Sequence, residues 1–134
     1  MTHPIENIRL SERDKERLIT LKRTLGLTQW NELCRWAFCM SLADPNPPTA
    51  KKIPSDSSIE MTWKTFGGQH HELYLALLSL RCHQDGLPLD DETLRTQFRL
   101  HINRGIAAMS GNPKLRSVEA LIQQAIKPTH QPPR

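Results

Sequence analysis

Residues 7–44 read NIRLSERDKERLITLKRTLGLTQWNELCRWAFCMSLAD, and the fold turns on this stretch. Ile8 and Leu10 alternate with Asn7 and Arg9, the two-residue period of a half-buried strand. Ser11 precedes Glu12, Arg13 and Asp14, an N-cap followed by acidic side chains that suit the positive end of a helix. Leu18, Leu21 and Leu25 make one apolar stripe, Lys22 and Arg23 occupy the last turn, and Gly26 supplies a C-terminal stop. Thr28 reads as a second N-cap. Trp30, Leu33, Cys34, Ala37, Phe38 and Ser41 then recur at helical spacing up to Asp44-Pro45.

Strand, helix, glycine turn and helix in this order resemble a ribbon-helix-helix unit. In such units two chains pair their strands antiparallel and lay the ribbon in the major groove of DNA. Asn7 and Arg9 would then point outward to bases or phosphates, while Ile8 and Leu10 face the helices. The amides at Thr28 and Gln29 would suit a phosphate oxygen. Arg13, Arg17, Lys22 and Arg23 are further candidate phosphate contacts along the first helix. Glu6, at an inward position of the same alternation, fits poorly, and a plain helical hairpin with an extended lead-in would leave a similar pattern.

Beyond this unit, residues 44–58 hold Pro45, Pro47, Pro48 and Pro54 among polar residues and cannot be regular structure; they are a linker or an ordered surface loop. Ile59, Met61 and Trp63 alternate with Glu60, Thr62 and Lys64, which suits a short strand, though a helix stays open. Gly67-Gly68 breaks this run as a strand-to-helix turn. A helix over Gln69–Gln84 is expected to bury Leu73, Leu77 and Leu80, with Tyr74 and Leu78. Asp90 or Asp91 caps the next, whose stripe is Leu94, Phe98, Ile102, Ile106 and Ala107, and Gly111-Asn112-Pro113 ends it. Ser117 opens a last helix, and residues 128–134 form a disordered tail. The expectation is a mainly α chain with a short N-terminal strand, a ribbon-helix-helix-like pair over 1–43, the Pro-rich loop, and two to three further helices within one domain spanning 1–127.

At 134 residues with 37% hydrophobic and 24% charged, the chain is lean in apolar residues but can bury a core. No apolar run reaches the roughly 18 residues of a membrane span, and Met1 to Leu10 lacks the layout of a signal peptide. A soluble, cytoplasmic protein is expected. The net charge of +4 is unevenly spread. Residues 1–43 carry net +2, 44–92 net −4, and 93–134 net +6. Basic surface at both ends is the footprint of a phosphate binder, although solvated helix faces would look the same. Arg95 and Arg99, one turn apart, and Arg104, Lys114 and Arg116 lie in a stretch free of acidic residues from 93 to 118. Arg95 and Arg99 are the candidate contacts there.

Catalytic chemistry has weaker support. Cys34, Cys39 and Cys82 show no paired metal-ligand spacing and read as reduced, small buried hydrophobes. His70-His71-Glu72 is the densest ionisable cluster, but neither it nor Glu60, Asp85 and Asp90 has the spacing of a metal nuclease. Gly67-Gly68 lacks the remaining residues of a P-loop. Trp63 and Phe66 read as core. No enzyme, metal or cofactor is expected.

Taken in order, Asn7 to Ser11, Asn31 to Ala37, Trp63 to Gly68, Leu73 to Leu78, Arg81 to Pro88, Asp91 to Leu94, Gln97 to His101 and Arg104 to Ile106 resemble the DndE family of the bacterial DNA phosphorothioation system. The resemblance extends to about residue 126. It implies a homo-oligomer, a tetramer, that binds double-stranded DNA, preferably nicked, beside the other phosphorothioation proteins. No catalytic motif transfers from the family to particular residues here. A nick is a flexible joint, which lowers the energy of bending DNA over a basic surface. A ribbon-helix-helix transcription regulator and a DNA-nicking nuclease are the alternatives.

Overall fold

The computed structural model describes residues 3–112 together with 117, 119, 120, 122 and 123. The chain begins with β1 (Asn7–Arg9) and passes directly into α1 (Glu12–Leu25). Ser11 Oγ accepts the Asp14 amide at 3.1 Å, and Leu18, Leu21 and Leu25 face the core as their spacing predicts. Gly26, at φ +72°, ends the helix and donates its amide to the Lys22 carbonyl at 3.0 Å. A side chain here would be forced into the left-handed region. Thr28 does not cap α2 (Trp30–Ala43); the N-cap position is Gln29, and it makes no side-chain bond.

The expected strand at 59–64 contracts to β2 (Glu60–Thr62), which pairs antiparallel with β1: Asn7 opposite Thr62, Ile8 opposite Met61, Arg9 opposite Glu60. Ile59, Met61 and Trp63 are all buried, so the alternation assigned the inward face correctly. The ribbon that a ribbon-helix-helix protein builds from two chains is closed here within one. Glu6 is exposed despite its parity because the strand starts only at Asn7.

Thr62 Oγ caps a five-residue helix, α3 (Trp63–Gly67), by accepting the Thr65 amide at 3.1 Å. Gly67-Gly68 therefore separates two helices rather than a strand and a helix. A single 3-10 turn over Gly68–His70 leads into α4 (His71–Gln84). Asp90 Oδ2 accepts the Thr93 amide at 3.1 Å and opens α5 (Asp91–Gly111). Three helices thus follow the Pro-rich loop among the described residues, and none of the described helices is long and apolar enough to cross a membrane. The expected last helix lies mostly outside the described residues, although Ser117 Oγ accepts the Ala120 amide at 3.0 Å. Lys114, Arg116 and the tail also lie outside them.

The core centres on three buried phenylalanines: Phe38 from α2, Phe66 from α3 and Phe98 from α5, with ring centroids 5.0 to 5.8 Å apart. Trp63 adds an edge-on contact to Phe98 at 4.9 Å. Helices α2 and α5 approach most closely at Gly105, where a Cβ would sit 1.7 Å from the Ala37 carbonyl oxygen. Glycine is a packing requirement there, not a flexible joint.

Helix α4 departs from its reading. It buries Leu78 and Cys82, with Tyr74 and Leu75 partly covered, whereas Leu73 and Leu80 are 55% and 53% exposed. Apolar residues run without interruption from Leu73 to Leu78, so the helix has two apolar stripes and no polar face to orient it. Leu78 is buried and Tyr74 partly covered as expected; tertiary packing left Leu73 and Leu80 outside. The reading of the cysteines also needs correction at one position. Cys34 and Cys82 are buried, with burial pushing the Cys34 thiol up to about 12, but Cys39 is exposed.

Candidate nucleic-acid interface

The cationic side chains divide into those bonded within the chain and those free. Arg9 bridges to Glu60 Oε2 at 2.7 Å and donates to the Ser57 carbonyl at 3.1 Å. The outward face of the ribbon therefore carries Asn7, Arg9 and Thr62 with a carboxylate among them. Arg17 lies 3.3 Å from Asp14, a buried carboxylate that also accepts two bonds from Asn103 Nδ2. Arg95 donates to the Pro4 carbonyl at 3.0 Å, and Arg99 donates to the Ile53 carbonyl and Ser55 Oγ.

These bonds explain the Pro-rich segment, which is an ordered surface loop rather than a linker. Arg81 and Arg104 both donate to the Asn46 carbonyl at 2.7 Å, one also holding Leu42 and the other Ser41. Arg99 pins the middle, while Arg9, Lys15 and the Glu12 amide hold Ser57, Ser58 and Asp56. Proline has no N–H to offer, so a Pro-rich segment cannot pair fully in a sheet, and guanidinium groups supply the donors for its carbonyls. Arg104 lies 3.6 Å from Asp44, whose carboxyl is held below its usual range chiefly by the Asn46 amide.

Beneath the loop's first strap, His101 Nδ1 and Arg104 Nε both lie 2.8 Å from Ser41 Oγ. His101 is fully buried, and burial, reinforced by the Arg104 and Arg81 charges, pushes its pKa down to about 4. The imidazole is neutral at neutral pH. Among the described residues its Nε2 has no hydrogen-bond partner.

The free cations tell a different story. Arg13 and Arg23 are exposed on α1 and make no hydrogen bond or ion pair among the described residues. Lys22 sits with Nζ 4.1 Å above the Trp30 ring. At about 100° per residue, Lys15, which is tied to Ser58 Oγ at 2.8 Å, falls within about 20° of Lys22 on the edge of α1 that meets α2. Beside Lys15 opens a cleft of ≈ 270 Å³ whose walls also include Gln29, Trp30, Asn31, Ser58, Thr65 and the carboxylate-bearing Glu60. It lies at the start of α2, where Thr28 and Gln29 are exposed and the first amides have no side-chain cap. Uncapped amides, the helix dipole and Lys15 favour an oxyanion there, while the Glu60 carboxylate, already paired with Arg9, opposes one.

Of the ten sequence candidates, Gln29 lines this cleft, Thr28 precedes it in the chain and Lys22 covers the Trp30 ring that forms part of its wall, with Arg13 and Arg23 exposed on α1. Asn7 and Arg9 share the ribbon; Arg17, Arg95 and Arg99 are engaged by other parts of the chain. Lys15 was missed because nothing in its spacing distinguishes it from its neighbours. Lys51, Lys52 and Lys64, exposed and unpaired among the described residues, were hidden by the acidic balance of residues 44–92. His70 and Glu72 are exposed, and among the described residues no group of three or more His, Cys, Asp or Glu side chains is placed to hold a metal.

A family model described as DNA sulphur modification protein DndE matches residues 7–117. Among solved structures, the chain is similar to DndE from Escherichia coli B7A, described as involved in DNA phosphorothioation modification, with TM-score 0.67 and 22% identity over 81% of this chain and 99% of that one. It is also similar to a DndE G21/24K mutant, described as involved in DNA phosphorothioation, with TM-score 0.62 and 23% identity over 80% of this chain and 98% of that one. No curated protein sequence matches.

Proposed function

The chain belongs to the DndE family of DNA sulphur modification proteins, and from that premise we propose that it is the DNA-binding component of a phosphorothioation machinery. It grips double-stranded DNA through phosphates, prefers nicked duplex, works as a homo-oligomer beside the other proteins of the system in the cytoplasm, and performs no catalysis itself. The observation that carries this reading is the cationic edge of α1, with Arg13 and Arg23 exposed and unengaged among the described residues and Lys22 over Trp30 at the start of α2, whose first amides have no side-chain cap. Phosphates are what such a surface recognises, and each contact releases condensed counterions.

A nick supports the same logic. The cationic surface is spread over a helix and a loop rather than a groove-filling element, so duplex must bend to meet more of it, and a nick lowers that bending energy. The test is fluorescence anisotropy on one duplex, intact and singly nicked, over a salt series. Tighter binding to the nicked form with a steep inverse dependence on salt is expected. Equal affinity for both forms and a flat salt dependence would refute the proposal. Strong preference for one operator sequence would point instead to a transcription regulator, and relaxation of supercoiled plasmid by the purified protein to a nicking enzyme.

A further inference from the structure

We propose that the open cleft between α2 and α4 is a guanine pocket, in which Glu32 and Arg35 read the edge of the base and Trp36 and Tyr74 flank its rings. The cleft measures ≈ 620 Å³, and its walls include Glu32, Arg35, Trp36, Cys39 and Tyr74. Pockets for small ligands run from about 300 to 1,000 Å³ and combine aromatic walls with a few convergent polar groups. Glu32, Arg35, Trp36 and Cys39 lie at i, i+3, i+4 and i+7 of α2, one continuous face of that helix, and Tyr74 meets them from α4.

The polar groups of this cleft are unused within the chain. Among the described residues, the Glu32 carboxylate, the Trp36 indole N–H and the Tyr74 hydroxyl have no hydrogen-bond or ion-pair partner, and the Trp36 ring contacts no other aromatic ring. Arg35 donates Nε to the Asn31 carbonyl at 3.3 Å, and its two terminal nitrogens make no bond among the described residues. One of them lies 3.3 Å from where a Cβ on Gly68 would sit, so the guanidinium rests against the backbone that leads into α4. Tyr74 is held by edge contacts to Phe38 and Phe66, with ring centroids 6.2 and 5.5 Å away. Burial pushes its phenol up, Cys39 adds to that shift and Arg35 opposes it, which places the hydroxyl near both.

Hydrogen-bonding chemistry selects the base. A carboxylate offers only acceptors and a guanidinium only donors. Glu32 and Arg35, neighbours on one helix face that form no ion pair with each other, therefore present acceptors beside donors. Guanine carries the complementary row along one edge: the N2 and N1 hydrogens, then the O6 and N7 acceptors that arginine binds bidentately. Adenine would set its N1 acceptor against the carboxylate. Cytosine gives Glu32 one amino donor, and thymine one ring N–H between two carbonyls. Stacking on the aromatic rings adds affinity for any base and so sets none of the preference. The base belongs either to a free nucleotide or to a nucleic-acid strand, and the recognising chemistry is the same for both. This pocket lies apart from the cationic edge of α1, and the inference does not depend on phosphate binding there.

The isotope-labelled full-length chain is titrated with GMP, IMP and AMP while NMR follows the indole N–H signals, the Trp36 signal being the one that Trp36→Phe removes. All three nucleotides carry the same phosphate, so contacts with Lys22 or Arg23 cancel in the comparison. GMP should shift the Trp36 signal and saturate it at about a tenth of the AMP concentration or less, with IMP, which lacks the N2 amino group, between them. Glu32→Gln should weaken GMP about tenfold, with AMP affinity and melting temperature unchanged. Equal saturation by all three nucleotides, or GMP shifts confined to Trp30 and Trp63, overturns the pocket. A second arm separates the sources, using a single-stranded oligothymidylate that carries one guanine and the same strand with adenine in its place. Tighter binding of the guanine strand than of GMP assigns the pocket to a base within a strand, and the reverse assigns it to a free nucleotide. Absence of any guanine preference in both arms overturns it, while the anisotropy titration with intact and nicked duplex judges the preceding reading separately.

Discussion

Replacing Gly105 by alanine adds one methyl group at the closest approach of two helices. That methyl carbon would lie 1.7 Å from the Ala37 carbonyl oxygen, 2.4 Å from its carbonyl carbon and 2.8 Å from its Cα. Ordinary contact begins near 3.4 Å, and all three obstructing atoms are backbone, so no rotamer change relieves the overlap. Helices α2 and α5 must part by more than an ångström, opening the packing of Phe38 against Phe98 and the Ser41–His101 contact just along the same interface. Overpacking of a well-filled core costs about 1–3 kcal/mol, and backbone obstruction puts this site at the upper end or beyond. Alanine's helix preference returns up to about 1 kcal/mol. A net loss of about 2–4 kcal/mol is expected, read as a lower urea midpoint by tryptophan fluorescence. Gly111→Ala is the matched control: the same helix, nothing within 4 Å of the added carbon, and an expected change of under about 1 kcal/mol in either direction. A Gly105→Ala protein as stable as the wild type would refute the close helix approach.

His101 makes stability depend on pH. Its pKa falls from 6.5 in the unfolded chain to about 4 in the fold, so the contribution, up to roughly 3 kcal/mol, is complete above pH 6.5 and is lost as pH falls from there toward 4. Urea midpoints measured from pH 7.5 to 4 should decline less steeply in His101→Gln, and parallel profiles would count against the assignment. Arg99→Ala removes the bonds to Ile53 and Ser55; trypsin cleavage after Lys51 or Lys52 should accelerate about tenfold, the rate expected from about 1.4 kcal/mol of easier local opening, and an unchanged cleavage rate would show that the strap is dispensable. Charge reversal at Arg13, Lys22 and Arg23 together should weaken duplex binding on every sequence and flatten the salt dependence, by about 0.9 in log–log slope for each phosphate no longer neutralised. An unaltered slope would move the interface elsewhere.

Where local chemistry is decisive, the chain could be read directly. Ser11, Gly26 and Asp90 terminate helices because each satisfies backbone groups that no distant partner competes for. Ile8, Leu10, Met61 and Trp63 alternate because one face of the ribbon is covered. Failures fall where long-range geometry decides. Thr28 has the chemistry of a cap, yet the turn places Gln29 at that position. Leu73 and Leu80 have the spacing of a core stripe, yet of the five apolar residues expected to be buried on this helix only Leu78 is fully covered. The basic run from Arg95 to Arg104 looks like surface charge, yet its donors reach carbonyls some 45 to 90 positions away, at Pro4, Asn46 and Ile53. Charge counted along a chain does not reveal which cations are already hydrogen-bonded. That distinction left Arg13, Lys22 and Arg23 on the candidate surface.

The ribbon closed within one chain has a consequence for synthesis. Strand β1 must wait for β2, because Asn7 finds its partner only at Thr62. At roughly 5–20 residues per second, several seconds separate the emergence of the two strands from the ribosome. During that interval a nascent chain carries a bare strand edge, ahead of a helix pair whose aromatic partners, Phe66 and Phe98, have not yet been made. Nascent chains of neighbouring ribosomes on one message could then exchange strands, and the speed at which residues 44–58 are translated sets how long that window stays open.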